Sequence, residues 1–343
     1  MNATTKTVVG IDTAKDVFQL HWVDADTGEI LSKQVKRAKF LEHFVNRSPC
    51  LIGMEACGGS HHWARQLTAM GHEVKLLPGK VVKAFVCGNK NDVCDARAIW
   101  QAVQQPGQRS VAIKTEDQQS VLAMHRVREQ LVKFRTAQIN GIRGLLTEFG
   151  EVMKPGRAAL NEHLPAALVR LAERLPAALI ETLREQWSRV AVLDSEIQKI
   201  EVRLVAWLKQ DKSCQTIAEI PGVGVLTATA AVATMGSANA FKSGREFAAW
   251  LGLVPAQSGT GGRVKLLGIS KRGDTYLRTL LIHAARSAVC SAKEKSPWMQ
   301  ELGKRRPRNV VIVAQANKIA RTIWALLAHG TQFDKHHVSS RPA

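Results

Sequence analysis

Residues 6–23, KTVVGIDTAKDVFQLHWV, decide the reading of the fold. An apolar run reaches Asp12, polar residues fill Thr13–Asp16, and apolar positions then alternate to Val23. An apolar run, a polar turn and then alternation with a period of two predict a β-hairpin. Downstream, Leu51–Glu55 predicts a short buried strand, Glu73–Leu77 another, and His61–Met70 a helix between them. A further helix is expected over 38–47, and another over Asn89–Gln104. Strands alternating with helices predict an α/β domain around a largely buried sheet.

This pattern places carboxylates in a telling way. Asp12 ends one apolar strand and Glu55 a second, so both belong at the carboxyl edge of a sheet. Asp92 and Asp95, three apart on a predicted helix, project from one of its faces. Taken singly, each has an ordinary role as a turn, cap or solvated-face residue. Gathered together, four carboxylates repel one another unless divalent cations neutralise them. Oxygen-only ligands suit Mg²⁺, with Mn²⁺ as a substitute, better than zinc. Two such ions about 3.5–4 Å apart activate an attacking oxygen and stabilise a leaving one at phosphorus.

From Glu116 to about Lys212 the sequence is charged and helical, with breaks expected at Pro155, Pro165 and Pro176. An amphipathic stripe over 178–209, from Leu179 through Leu183, Val190, Ile197, Ile200 and Leu204 to Trp207, predicts a helical hairpin or coiled-coil arm. Beyond it, Pro221-Gly222-Val223-Gly224 separates two helical runs and resembles a helix-hairpin-helix turn, where Gly222 and Gly224 allow close approach to a phosphate. Plain helix connection is the other reading of that turn. Gln257–Gly268 reads as a glycine-rich loop carrying Ser258 and Thr260, surrounded by Arg263, Lys265, Lys271 and Arg272. Ser270–Gly273 then leads into a helix over Asp274–Cys290, and a last helix runs from Val310 to His329 before a polar tail. His125 and His283 are the histidines available as bases, though spacing alone ties neither to the serine.

Composition narrows the function classes. The 343 residues carry 48 Lys+Arg against 29 Asp+Glu, a formal net charge of +19. The excess concentrates after Ser213, where 18 basic residues face 6 acidic ones. Such a balance favours phosphate backbones through counterion release. None of the 6 cysteines forms a C-x-x-C pair, which argues against a zinc knuckle or redox motif and for reduced thiols in a cytoplasmic protein. No window reads as a membrane span, and no G-x-x-x-x-G-K-[ST] loop points to nucleotide hydrolysis.

Several stretches resemble one family. Gly10-Ile11-Asp12-Thr13-Ala14-Lys15, Met54-Glu55-Ala56 and Asn91-Asp92-Val93-Cys94-Asp95-Ala96-Arg97 are similar to the DEDD motifs of insertion-sequence one-hundred-and-ten family transposases, which include Piv-like DNA invertases. Ile220–Gly224, Leu251–Pro255 and Gly268–Asp274, continued by Tyr276-Leu277-Arg278, resemble the same family's carboxyl-terminal domain. The run Gly252–Arg278 looks most like the insertion-sequence eleven-eleven subgroup.

The resemblance implies three parts and a tail. They are a RuvC-like, ribonuclease-H-type domain over 1–112, a helical or coiled-coil arm over 113–212, a small mainly α transposase domain over 213–332, and a flexible tail over 333–343. It implies that Asp12, Glu55, Asp92 and Asp95 bind Mg²⁺. It implies a covalent phosphoserine intermediate, a composite site shared between subunits of a dimer or tetramer, and guidance by a structured non-coding RNA that pairs with element and target DNA. Pro221, Gly222, Gly224, Arg263, Lys265, Lys271, Arg272 and Arg278 are the expected nucleic-acid contacts. Relatives often place paired hydroxyl residues before two glycines; here the order Ser258-Gly259-Thr260-Gly261-Gly262 favours Ser258 as nucleophile and leaves Thr260 as the alternative. A hydrolytic Holliday-junction nuclease on the same fold, or a non-catalytic nucleic-acid-binding protein, are the competing functions.

Overall fold

A computed structural model describes residues 6–24, 26–88, 91–291 and 296–334. The first two residues of the helix expected over 89–104, and the tail from 335 onward, lie outside the described residues. The chain divides into two compact units: residues 1–118 with 235–242, and residues 119–234 with 243–343.

The first unit is built on a five-stranded sheet. Its strands are β1 (Val8–Thr13), β2 (Val17–Val23), β3 (Ile30–Lys36), β4 (Leu51–Glu55) and β5 (Glu73–Leu77), in the order β3-β2-β1-β4-β5. β1, β2 and β3 are antiparallel neighbours, whereas β4 and β5 continue the sheet parallel to β1. The edge strand β3, ILSKQVK, is mostly exposed and carries Lys33 and Lys36, so its sequence carries little alternation to read.

The two faces of the sheet follow the strand period. Val9 and Ile11 of β1, Phe18 and Leu20 of β2, and Ile52 and Met54 of β4 enter one core with Trp63 of α1 (Ser60–Ala69). Phe18, Phe40 and Trp63 meet edge to face there, with ring centroids 4.6–5.2 Å apart. Phe40 and Phe44 come from the segment expected to be a helix over 38–47. It is instead a single 3-10 turn, Arg37–Lys39, followed by turns closed largely by i→i+3 bonds. Burying both rings on the sheet sets its path. On the other face, after the short α2 (Gly79–Lys83), α3 (Asp92–Val103) packs Ala98, Ile99, Ala102 and Val103 against Leu77, Val8 and Leu51.

The second unit is helical apart from one hairpin. α4 (Glu116–Glu148, entering this unit at Gln119) and α6 (Ala177–Gln210) run antiparallel, tied by Arg128–Glu201 and Arg135–Asp194 ion pairs, both at 2.6 Å, and by Gln138–Gln186. The expected stripe on α6 is its buried face: Leu183, Val190, Ile197, Ile200 and Leu204 are all enclosed. α5 (Arg157–Ala172) continues through Pro165, correcting the expected break. One missing N–H is outweighed by burial of Leu160, Leu164, Leu168 and Leu171 against both long helices.

α7 (Lys212–Ala218), α8 (Val225–Met235), α9 (Gly244–Trp250), α10 (Thr275–Ser291), α11 (Pro297–Arg305) and α12 (Arg308–His329) complete the unit. α12 is long and apolar enough to span a membrane by composition, contrary to the sequence expectation. It is a core helix: Ile312, Ala316, Ile319, Ala320 and Ile323 are buried, and its contacts are chiefly with α10 and α9.

Candidate active site

The acidic site is positioned by a pair of glycines. Gly10 of β1 and Gly53 of β4 are register partners, and α3 lies across both. A Cβ on Gly10 would sit 2.3 Å from the Ala96 carbonyl oxygen and 2.5 Å from the Trp100 amide nitrogen; on Gly53 it would sit 2.8 Å from Val103 Cβ. Two residues further along each strand, on the same face by the period of two, stand Asp12 and Glu55. The helix runs against β1. Val8 accepts a hydrogen bond from the Trp100 indole, whereas Gly10, nearer the strand's carboxyl end, meets Ala96. Continuing that direction brings the first turn of α3, with Asp92 and Asp95, toward the end of the strand that carries Asp12.

Asn91 caps this turn, its side chain accepting from the Cys94 amide at 2.7 Å. Across the neighbouring strand ends, Thr13 Oγ1 and Cys57 Sγ are 3.2 Å apart. The Glu55 carboxylate occupies space left by Gly79, where a Cβ would come within 2.6 Å of Oε1. Asp12, Glu55 and Asp95 are half-buried and Asp92 exposed. Among the described residues, no three carboxylate, His or Cys groups already converge closely enough to hold a metal ion. The structure thus aligns Asp12 and Glu55 on one face and brings the Asp92–Asp95 turn to that face without closing the four into one cluster.

Two buried polar residues were not legible in the sequence as part of this region. Gln19, the register partner of Asp12, leaves its Oε1 without a hydrogen-bond partner, and His21, partner of Gly10, does the same with Nδ1 while its ring meets Trp100 edge on at 5.5 Å. Burial, then the nearby Arg97 charge, holds His21 below the ordinary imidazole range. Their one sequence signal was polar residues at every second position of a strand that is otherwise apolar.

In the second unit, the expected glycine-rich loop is a two-stranded β-hairpin, β6 (Pro255–Thr260) and β7 (Arg263–Ile269). Gly261 and Gly262, at φ 57° and 80°, form the two-residue turn whose positive dihedrals match strand twist. Gly259 is required by proximity, since a Cβ there would lie 2.0 Å from the Arg263 carbonyl oxygen. Ser258 pairs with Lys265 and Thr260 with Arg263, so both hydroxyls and both cations share one face. Val264 and Leu266 lie on the other face, each 63% exposed. None of Arg263, Lys265, Lys271 and Arg272 has an ion-pair partner among the described residues, in contrast to the paired arginines of α4.

One expected nucleic-acid contact, Arg278, is buried in the fold. Its guanidinium donates to the Leu251 carbonyl at 3.0 Å, the Arg272 carbonyl at 2.6 Å and Thr275 Oγ1 at 3.0 Å. It holds the loop bearing Lys271 and Arg272 instead of meeting a phosphate. Gly222, at φ 86°, is exposed but packs where a Cβ would strike the Ala284 carbonyl oxygen at 2.2 Å, so the fold on α10 also requires glycine there. Pro221 is exposed and Gly224, just before α8, is open, as approach by a ligand would require. His283 lines a cavity of about 450 Å³ with Gly222, Gly224 and Thr227. His125 is buried and bonded to Tyr276 and Thr229, both at 2.9 Å, so it is not free to act as a base.

Comparison with known proteins decides the family. Residues 9–150 match a model described as "Transposase" for the DEDD transposases of the IS110 type, and residues 214–303 match one described as "Transposase IS116/IS110/IS902 family". A "Probable family 20 transposase" of Pseudomonas aeruginosa is 46% identical over 94% of this chain and 97% of its own length. The chain belongs to the IS110/IS116/IS902 transposase family. This transposase is also similar to the "Transposase for insertion sequence element IS1111A" of Coxiella burnetii, 42% identical over 93% of this chain and 89% of that protein. The "Transposase for insertion sequence element IS1328" of Yersinia enterocolitica is 37% identical over 96% and 99%. Transposases bind and cut DNA, and the two family matches enclose the acidic strand ends and the hydroxyl hairpin respectively.

Proposed function

We propose that this transposase cuts and rejoins DNA by transesterification, with the DEDD carboxylates of Asp12, Glu55, Asp92 and Asp95 as one half of the machinery and Ser258 as the other. The observation that carries the reading is the placement of Asp12 and Glu55 on the sheet face toward which the first turn of α3 is aimed. The strand order and parallel β1–β4–β5 segment support a RuvC-like, ribonuclease-H-type domain, and the antiparallel α4–α6 pair supports a helical arm. The division into domains at 1–112, 113–212 and 213–332 is part of the same reading.

The donor set fits a divalent cation: four hard oxygen ligands suit Mg²⁺, with Mn²⁺ as substitute. A bound cation supplies charge stabilisation to the oxygens around phosphorus. The chain's own residues do the rest. Ser258 Oγ forms a bond to phosphorus as one DNA P–O bond breaks and a DNA hydroxyl leaves. Attack by a DNA hydroxyl on the phosphoserine then restores the serine, so bonds are conserved without nucleotide hydrolysis. Lys265, paired across from Ser258, and Arg263 bring positive charge to the same hairpin face, which suits phosphate oxygens. Pro221, Gly222, Gly224, Lys271 and Arg272 extend the DNA-binding surface.

The proposal includes assembly as a dimer or tetramer in the cytoplasm, with acidic and hydroxyl halves from different subunits, guided by a structured non-coding RNA. Ser258→Ala is expected to abolish a covalent enzyme–DNA adduct trapped in the presence of Mg²⁺, while Thr260→Ala retains it. Mixing Asp12→Asn with Ser258→Ala subunits then restores activity. Nicking by Ser258→Ala without any adduct from the wild type would favour a hydrolytic nuclease and overturn the serine mechanism.

A further inference from the structure

Lys271 is the only non-glycine residue with a positive φ among the described residues, at 53°. The left-handed region is unfavourable for an L side chain because Cβ crowds the neighbouring carbonyl. Here the surroundings leave the backbone no choice. The Lys271 amide donates to the Gly252 carbonyl at 3.2 Å, and the Ser270 amide to the Val254 carbonyl at 2.8 Å. Buried Arg278 holds the next carbonyl, that of Arg272, at 2.6 Å. Gly252 and Gly273 are themselves at positive φ, and the two chain segments touch. A Cβ on Gly252 would lie 2.4 Å from the Arg272 nitrogen, and one on Gly273 would lie 1.9 Å from the Trp250 carbonyl oxygen.

Glycine would meet these backbone demands at residue 271 without strain. What lysine adds is an exposed ammonium with no acidic partner among the described residues, two positions beyond the strand that carries Arg263 and Lys265. Strain retained where the surroundings over-determine it is characteristic of functional positions. We propose that Lys271 is a fixed phosphate clamp, held in the left-handed conformation so that its ammonium meets the DNA backbone at the base of the hydroxyl hairpin. This rests on the DNA-processing reading above.

The test separates backbone from charge by comparing Lys271→Gly, Lys271→Arg and wild type as full-length chains. Lys271→Gly is expected to melt at, or up to about 3 °C above, the wild-type temperature, because strain is relieved. Its affinity for a short fluorescent DNA duplex falls about tenfold, and the slope of log affinity against log salt shrinks by about one phosphate contact. Lys271→Arg keeps the wild-type slope. An unchanged slope and affinity in Lys271→Gly would overturn the clamp, and a melting temperature several degrees lower would overturn the strain argument. A wild type that binds the duplex without salt dependence would instead count against the DNA-processing reading itself.

Discussion

Replacing Gly10 by alanine tests whether the acidic site depends on how closely α3 lies on the sheet. The added methyl would stand 2.3 Å from the Ala96 carbonyl oxygen, 2.5 Å from the Trp100 nitrogen and 2.7 Å from Trp100 Cβ. Two of these three atoms are backbone, so a rotamer change does not relieve the clash. The strand has little room to yield, because Gly10 is paired on one side with His21 and on the other with Gly53. The helix must therefore retreat by about 1 Å to restore ordinary contact in a close-packed interior. Overpacking of this kind costs about 1–3 kcal/mol, a substantial part of a domain's stability. The same retreat carries Asp92 and Asp95 away from Asp12, and misplacement of about 1 Å in a reacting geometry reduces rate by about a hundredfold. Thermal unfolding by circular dichroism and single-turnover DNA cleavage, run well below the melting temperature, read the two effects separately. Gly53→Ala is the graded control: its nearest neighbours are Val103 Cβ at 2.8 Å and the Ile99 and Val103 methyl groups at 3.1 Å, a milder overlap than at Gly10, so the helix retreats less and both losses should be smaller. Wild-type stability and cleavage in Gly10→Ala would refute the packing of α3 on β1 as the source of the site.

Two further outcomes follow from the same geometry. Gly79→Ala should leave the melting temperature within about 2 °C of wild type yet lower cleavage at least tenfold, because the atom it displaces is the movable Glu55 Oε1; equal cleavage by the variant would remove Glu55 from the site. Burial, then the Arg128 charge, pushes His125 down to about 4 from 6.5, so the unfolded chain binds its proton first as the pH falls. Stability from this residue is complete above the unfolded value and is lost as the pH drops from 6.5 toward 4. That amounts to about 2 kcal/mol between roughly pH 7 and pH 5. Denaturant unfolding should show that loss reduced in His125→Gln, and an identical pH dependence in both proteins would contradict the buried neutral imidazole.

Much of the first unit was legible because its signals are local. Short apolar runs mark β1 and β4 and alternating apolar residues mark β2, so the strand ends holding Asp12 and Glu55 could be read directly. β3 leaves no signal because an exposed edge strand imposes no alternation on ILSKQVK, and 38–47 resembles a helix although Phe40 and Phe44 answer to the sheet rather than to a helical period. The hairpin at Ser258 reads as a loop in the sequence since its glycines and charges resemble one. Its strand character lies in cross-strand pairing, which no single segment displays. Arg278 looked like a phosphate ligand beside other cations, and only packing revealed that its donors are consumed by the Leu251 and Arg272 carbonyls.

By itself, the sequence determined on which local elements the candidate residues ride: carboxylates at strand ends and a helix start, hydroxyls among cations. Tertiary structure alone decided which of them share a face. Gly10 and Gly53 become partners only when β1 and β4 pair, and only then can α3 approach closely enough to aim its first turn at Asp12. Likewise, Lys271 became exceptional only once Gly252, Gly273 and Arg278 had closed around it. The physical reason is that strand register and close packing join residues far apart in the chain, and that information resides in no window of the sequence.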